Sequence, residues 1–199
     1  MPFEDPPLLE PHEVTDPRAM RAVAHPVRLA LLEALTGGGP LTATEAAARL
    51  GESPATCSFH LRQLAKYGFV EEAGGGRGRQ RPWRATRVGM HFTDVTDDPE
   101  TRIAATVLSQ VLVDRYMARR EAWQRVRHAY PREWQETTGQ SEYLLYVTPD
   151  ELRAIDAELD AVLRRYAVRI ADREQRPAGS LPMEVLLFAF PIVESEAHA

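Results

Sequence analysis

Cysteine, lysine and long apolar runs are nearly missing from this 199-residue chain, and each shortage excludes something. A single cysteine, Cys57, cannot close an intrachain disulfide, so the core must hold the fold, and a reducing compartment is the simplest setting. The longest apolar stretch, 185–193, is about half of what a bilayer-spanning helix needs, and no membrane span is expected. The N-terminus (MPFEDPPLLEPHEV) has no basic start and no apolar run ending in small residues, so no signal peptide is read and a cytoplasmic protein is expected. The six histidines (His12, His25, His60, His91, His128, His198) are scattered, with no H-x-x-x-H pair. Nor is there a G-x-S-x-G, a P-loop, a dinucleotide fingerprint or a zincin motif, so neither metal, cofactor nor enzymatic activity is expected.

What is present is the composition of an ordinary globular protein, 44% hydrophobic and 27% charged, long enough for one domain or two small ones. The net charge of −5 is unevenly spread. Residues 1–14 carry four acids and no base, 15–95 eleven bases against seven acids, and 96–199 thirteen bases against eighteen acids. A basic segment therefore sits between acidic ones. Of the 24 bases only Lys66 is a lysine, which reads as compositional bias toward arginine.

Residues 1–14 hold four prolines and no periodicity, and are expected to be a disordered, acidic, proline-rich tail. From Thr15 the texture changes. Asp16 can cap a helix with Pro17 at its first position, and His25-Pro26 breaks it. A second helix from Pro26 carries Val27, Ala30, Leu31, Ala34 and Leu35 on one face and stops at the Gly37–Pro40 run. Thr42 and Glu45 form a capping box for a short helix ending near Gly51, a residue that tolerates the positive φ of a tight turn. The next helix, capped by Ser53 with Pro54 following, has a narrow apolar stripe of Cys57, Leu61 and Leu64. Two short helices around one glycine turn are helix-turn-helix spacing. Two short strands follow, Phe69–Ala73 and Arg81–Thr86, joined by the glycine-arginine loop GGGRGRQ: a wing.

Residues 15–88 resemble the winged helix-turn-helix domain of the ArsR-type family of bacterial transcription regulators. The likeness is carried by AVAHPVRLALLEAL, LTATEAAARLG, SPATCSFHLRQLAKYGFV and the wing ending in RPWRA, in the right order and at the right separations. It implies a homodimer that binds double-stranded DNA and represses by occupying its operator. The best-known metal sensors of the family carry a cysteine pair on the helix before the recognition helix; here that helix, TATEAAARL, has neither Cys nor His. Cys57 stands where the family usually has valine or isoleucine and reads as a small buried residue, while His60 matches a histidine common in the family motif.

C-terminal to the wing the reading rests on pattern. A long helix from about Asp98 to Tyr130 has a broad apolar arc, with Ile103, Val107 and Val111 beside Leu108, Leu112, Tyr116, Trp123 and Val126; it is expected to meet a second subunit. Glu142–Val147 reads as a strand, Thr148 and Glu151 as a capping box for a further helix, and Met183–Phe190 as another strand. The expected fold class is thus α+β and mainly helical: an N-terminal winged helix-turn-helix, a long dimerisation helix and a small C-terminal strand-helix-strand unit. The expected division is 1–14 tail, 15–95 DNA-binding domain, and 96–199 dimerisation and effector region.

Candidate DNA contacts are Ser53, Thr56, Ser58, Phe59, Arg62 and Gln63 on the recognition helix, and Arg77, Arg79, Arg81 and Arg84 in the wing. Guanidinium forks suit phosphate oxygens and narrow grooves, Arg62 can read a guanine edge, Gln63 an adenine edge, and Phe59 the methyl of thymine. Phe59 replaces the polar or basic residue common in the family, and packing against the wing or the second helix is its other reading. The aromatics Tyr116, Trp123, Trp134 and Tyr146 are candidates for a small organic effector, or else plain core. The function expected is a sequence-specific, homodimeric DNA-binding regulator, relieved by such an effector. The alternative is a ligand-binding or enzyme-like C-terminal module whose winged domain serves protein contact.

Overall fold

The computed structural model describes residues 11–74 and 81–192. The N-terminal half is a stack of capped helices. α1 (Pro17–Val23) starts at Asp16, whose carboxylate accepts from the Arg18 amide at 2.8 Å, and α2 (Pro26–Gly38) starts at His25, whose Nδ1 accepts from the Val27 amide at 3.2 Å. α2 runs through two of the glycines expected to stop it and ends only at Gly39, where φ is +73°. α3 (Ala43–Leu50) has the expected capping box: the Glu45 amide donates to Thr42 Oγ1, and the Thr42 amide to Glu45 Oε2. Gly51, left-handed at φ +72°, turns the chain directly into α4 (Pro54–Lys66), capped by the Ser53 hydroxyl.

One core joins these helices. Met20, Val23, Leu31, Leu35, Ala46, Cys57, Leu61 and Leu64 are all buried in it, and α4 contributes the stripe expected from its spacing. β2 (Val70–Glu72) and β3 (Trp83–Ala85) pair antiparallel with Val70 opposite Ala85, and Leu41 bridges to Trp83, tying the hairpin to the start of α3. α5 (Pro99–Val126), capped by Asp98, lays Ala104, Ala105 and Leu108 against α1 and continues into a 3-10 turn at Arg127–Ala129. α6 (Arg132–Thr137), not expected from the sequence, follows, and then α7 (Pro149–Ala171), opened by the Thr148–Glu151 box.

Two expectations are corrected. Residues 12–14 belong to the fold and not to a tail, residues 1–10 of the expected tail lying outside the described residues: β1 (His12–Glu13) pairs in parallel with β4 (Met90–His91), Val14 is buried, and the His12 ring lies 4.6 Å from that of Phe69. The prolines precede this stretch, and so the His12 and Val14 amides remain free to donate to Gly89 and His91. The strand-helix-strand unit, by contrast, supplies only its helix. Neither Glu142–Val147 nor Met183–Phe190 forms a ladder, because within the described residues no strand lies beside either. No described helix is long and apolar enough to cross a membrane.

Candidate nucleic-acid interface

α4 has two faces of opposite character. Its inner face sinks Cys57, His60, Leu61 and Leu64 into the core. Its outer face carries Thr56, Ser58, Phe59, Arg62 and Gln63, of which Phe59 and Arg62 are exposed and the other three half-buried. The helix start is occupied by internal bonds: Ser53 Oγ accepts from the Thr56 amide at 3.0 Å, and the two hydroxyls are hydrogen-bonded at 2.8 Å. One turn on, Arg62 Nη1 donates to Ser58 Oγ at 2.7 Å. The guanidinium is thereby laid along the helix surface. Phe59 keeps half its surface exposed and stands T-shaped to His60, at 5.2 Å between ring centres.

Behind α4 lies a polar cluster that pattern reading missed. The rings of His25 and His60 are 4.6 Å apart, and Arg28 Nη1 donates to His60 Nδ1 at 3.4 Å. Both imidazoles must be neutral for these bonds, since each Nδ1 acts as an acceptor. Their pKa values lie below the ordinary histidine range; burial is the largest cause for both, followed by the Arg28 charge at His25, and by His25 and then Arg28 at His60. Burial also lowers that of Arg28, whose Nε has no hydrogen-bond partner. The signal was the AVAHPVR motif itself, with His25 and Arg28 on one turn beside His60 of α4.

The wing expectation splits. Arg77 and Arg79 lie outside the described residues. Arg81 and Arg84 are held by carboxylates of the partner strand: Arg81 Nη1 donates to both oxygens of Glu72 at 3.0 and 3.1 Å, and Arg84 Nε to Glu71 Oε1 at 2.8 Å. The register that sets Glu71 opposite Arg84 makes the second contact. Cys57 is wholly buried, and its thiol pKa is raised by that burial and by the Glu52 charge.

The four candidate effector residues lie on α5 (Tyr116, Trp123), on α6 (Trp134) and in the stretch before α7 (Tyr146). Trp123 meets Tyr130 edge to face at 4.8 Å, with Trp134 on α6 just beyond, while Tyr116 is half-buried farther up α5 and Tyr146 is 96% exposed. Two surface hollows among the described residues, one lined by Asp94, Asp97 and Arg102 and one by Arg127, Arg132 and Glu136, hold none of the four.

Helix, glycine turn, helix and hairpin in this arrangement form a winged helix-turn-helix, and residues 23–73 match the family model of a helix-turn-helix domain. Among solved structures the chain is similar to the homodimeric winged helix-turn-helix DNA-binding domain of a possible ArsR-family transcriptional regulator from Mycobacterium bovis, at 26% identity over 49% of this chain and 76% of that one (TM-score 0.32). It is similar to the AntR antimony-specific transcriptional repressor at 25% identity, over 51% and 78% of the two chains (TM-score 0.33). A MarR family regulator from Neisseria meningitidis matches at 15% identity, over 75% and 80% (TM-score 0.32). No curated protein matches the sequence.

Proposed function

We propose that the protein is a sequence-specific DNA-binding transcriptional regulator, a cytoplasmic repressor acting as a homodimer. The observation that carries the reading is α4, buried on one side and presenting Thr56, Ser58, Phe59, Arg62 and Gln63 on the other, beside a two-stranded hairpin. Such a helix fits the major groove, with Arg62 and Gln63 reading base edges and Phe59 packing on thymine methyls. Arg77, Arg79, Arg81 and Arg84 serve phosphates or the minor groove; the last two exchange a carboxylate for a phosphate when DNA arrives. Residues 15–95 are the DNA-binding part and 96–199 the dimerising and sensing part. α5 supports a dimer because Ile103 and Val107 are exposed while Ala104, Ala105 and Leu108 are buried.

Duplex binding measured across salt concentrations tests this. Affinity should fall steeply with salt, and the Arg77→Ala, Arg79→Ala, Arg81→Ala triple variant should flatten the slope by about 0.9 for each phosphate no longer neutralised. Arg62→Ala and Gln63→Ala should lose sequence discrimination more than non-specific affinity. Absence of salt-dependent binding to any duplex would overturn the proposal. Release by a small organic ligand is its finer part, and the Trp123–Tyr130 pair supports a site there. Zinc, arsenite and mild oxidants should leave the DNA complex intact, since Cys57 is a buried lone thiol; a response that disappears in Cys57→Val would contradict that.

A further inference from the structure

The chain exposes far more surface than a folded monomer of its size. Its accessible area is 14865 Å², whereas a compact protein of 22.3 kDa exposes about 9,400 Å². If the 23 residues outside the description were counted as wholly unfolded chain, roughly 2,500 Å² of the excess would remain. The excess is concentrated at the C-terminal end. Tyr143–Val147 and most of 181–192 present their large apolar side chains to water, and so do Leu152, Leu159, Val162, Leu163 and Tyr166 along α7.

The pattern of these residues says what is missing. Tyr143–Val147 (YLLYV) and Val185–Phe190 (VLLFAF) are unbroken apolar runs, and in a strand successive side chains point to opposite faces, so either run as a strand would be apolar on both sides. That is the signature of strands covered on both faces. One chain offers one helix, α7, as a cover and two strands, too few to make a stable sheet alone. Two copies offer four strands and two covering helices.

We propose that residues 142–192 are completed by a second copy of this chain, the two apolar runs of each copy entering one shared layered unit with α7 as its cover. The excess area is of the size buried in obligate homodimers, and it is too large for a small ligand to fill. The surplus of acids over bases in 96–199 disfavours an anionic membrane as the occupant. α5 borders this surface, because Arg119 on that helix pairs with Glu184 at the start of the second run at 2.6 Å. This interface does not depend on DNA binding.

Sedimentation and amide hydrogen exchange of the full chain, followed across protein concentration, test the proposal. The molar mass should halve on dilution, and amide protection over 142–147 and 183–192 should disappear with it while protection over 17–91 stays. Leu145→Glu with Leu187→Glu should give a monomer at high-micromolar concentration that keeps the N-terminal protection. Wild type remaining monomeric at that concentration would overturn the proposal, whether its surface takes up vesicles or stays bare. So would a dimer whose concentration-dependent protection is confined to 99–126, or a double-glutamate variant that remains dimeric.

Discussion

Residues 142–192 are richer in apolar side chains than residues 11–112, and the two regions use them in opposite ways. Among the described residues, all of the buried hydrophobic ones lie at or before Leu108, and no side chain from 142 onward is buried. Both regions have well-capped helices, and they share the same Thr-Pro/Ala-x-Glu opening logic at Thr42 and Thr148. Capping, then, does not separate a region that folds on itself from one that needs a partner. Layer count does: the N-terminal half stacks four helices and a hairpin around one core, and residues 142–192 have one helix, α7, and no described strand.

Core truncation gives the largest test of that contrast. Leu61→Ala should cost about 2–5 kcal/mol, independent of protein concentration, because Leu61 is fully buried within its own half. Leu145→Ala should cost stability that grows with protein concentration. Urea unfolding at two concentrations reads both, and a concentration-independent loss at Leu145 would break the comparison.

The two capping boxes provide a matched pair with a smaller effect. Thr42→Ala should lower global stability by about 0.5–2 kcal/mol, since α3 is locked into the core through Ala46 and Ala47. Thr148→Ala should fray the first turn of α7 and leave the urea midpoint of the N-terminal half unchanged, which residue-resolved exchange would show.

Acidification acts on the N-terminal half through His25 and His60. Both bind protons less readily folded than unfolded, so below about pH 6.5 the unfolded chain takes up more protons and stability falls. His25→Asn with His60→Gln should flatten this decline between pH 6.5 and lower values, and an unchanged pH profile would remove the pair as its source. The smallest effect belongs to the wing. Glu71→Gln with Glu72→Gln should tighten duplex binding several-fold by freeing Arg84 and Arg81 of their carboxylates, and weaker binding would show that the acids position the arginines instead.

Local signals carried most of the N-terminal half. Caps, proline at first helical positions, Gly51 and the Cys57–Leu61–Leu64 stripe each depend on a few neighbouring residues, and each is found where the spacing puts it. β1 was not legible, because its ladder joins His12 to Met90 and no local pattern announces a pairing of that range. The Glu71–Arg84 and Glu72–Arg81 pairs depend on strand register, which the glycine-rich loop leaves open. The C-terminal runs are legible as apolar but not as a ladder within one chain, since hydropathy records that a segment wants cover without recording whose. Tyr116, Trp123, Trp134 and Tyr146 are legible in the sequence as aromatics only, because aromatic content does not specify proximity.

The parallel pairing of β1 with β4 has a mechanical consequence. The chain enters the winged-helix half along one of these strands and leaves it along the other, in the same direction. Tension between the N-terminus and α5 pulls β1 backward and β4 forward, loading the His12–Gly89 and Val14–His91 hydrogen bonds in shear, so that they must yield together instead of peeling one by one. The seam acts as a buckle between the N-terminal segment and the start of α5.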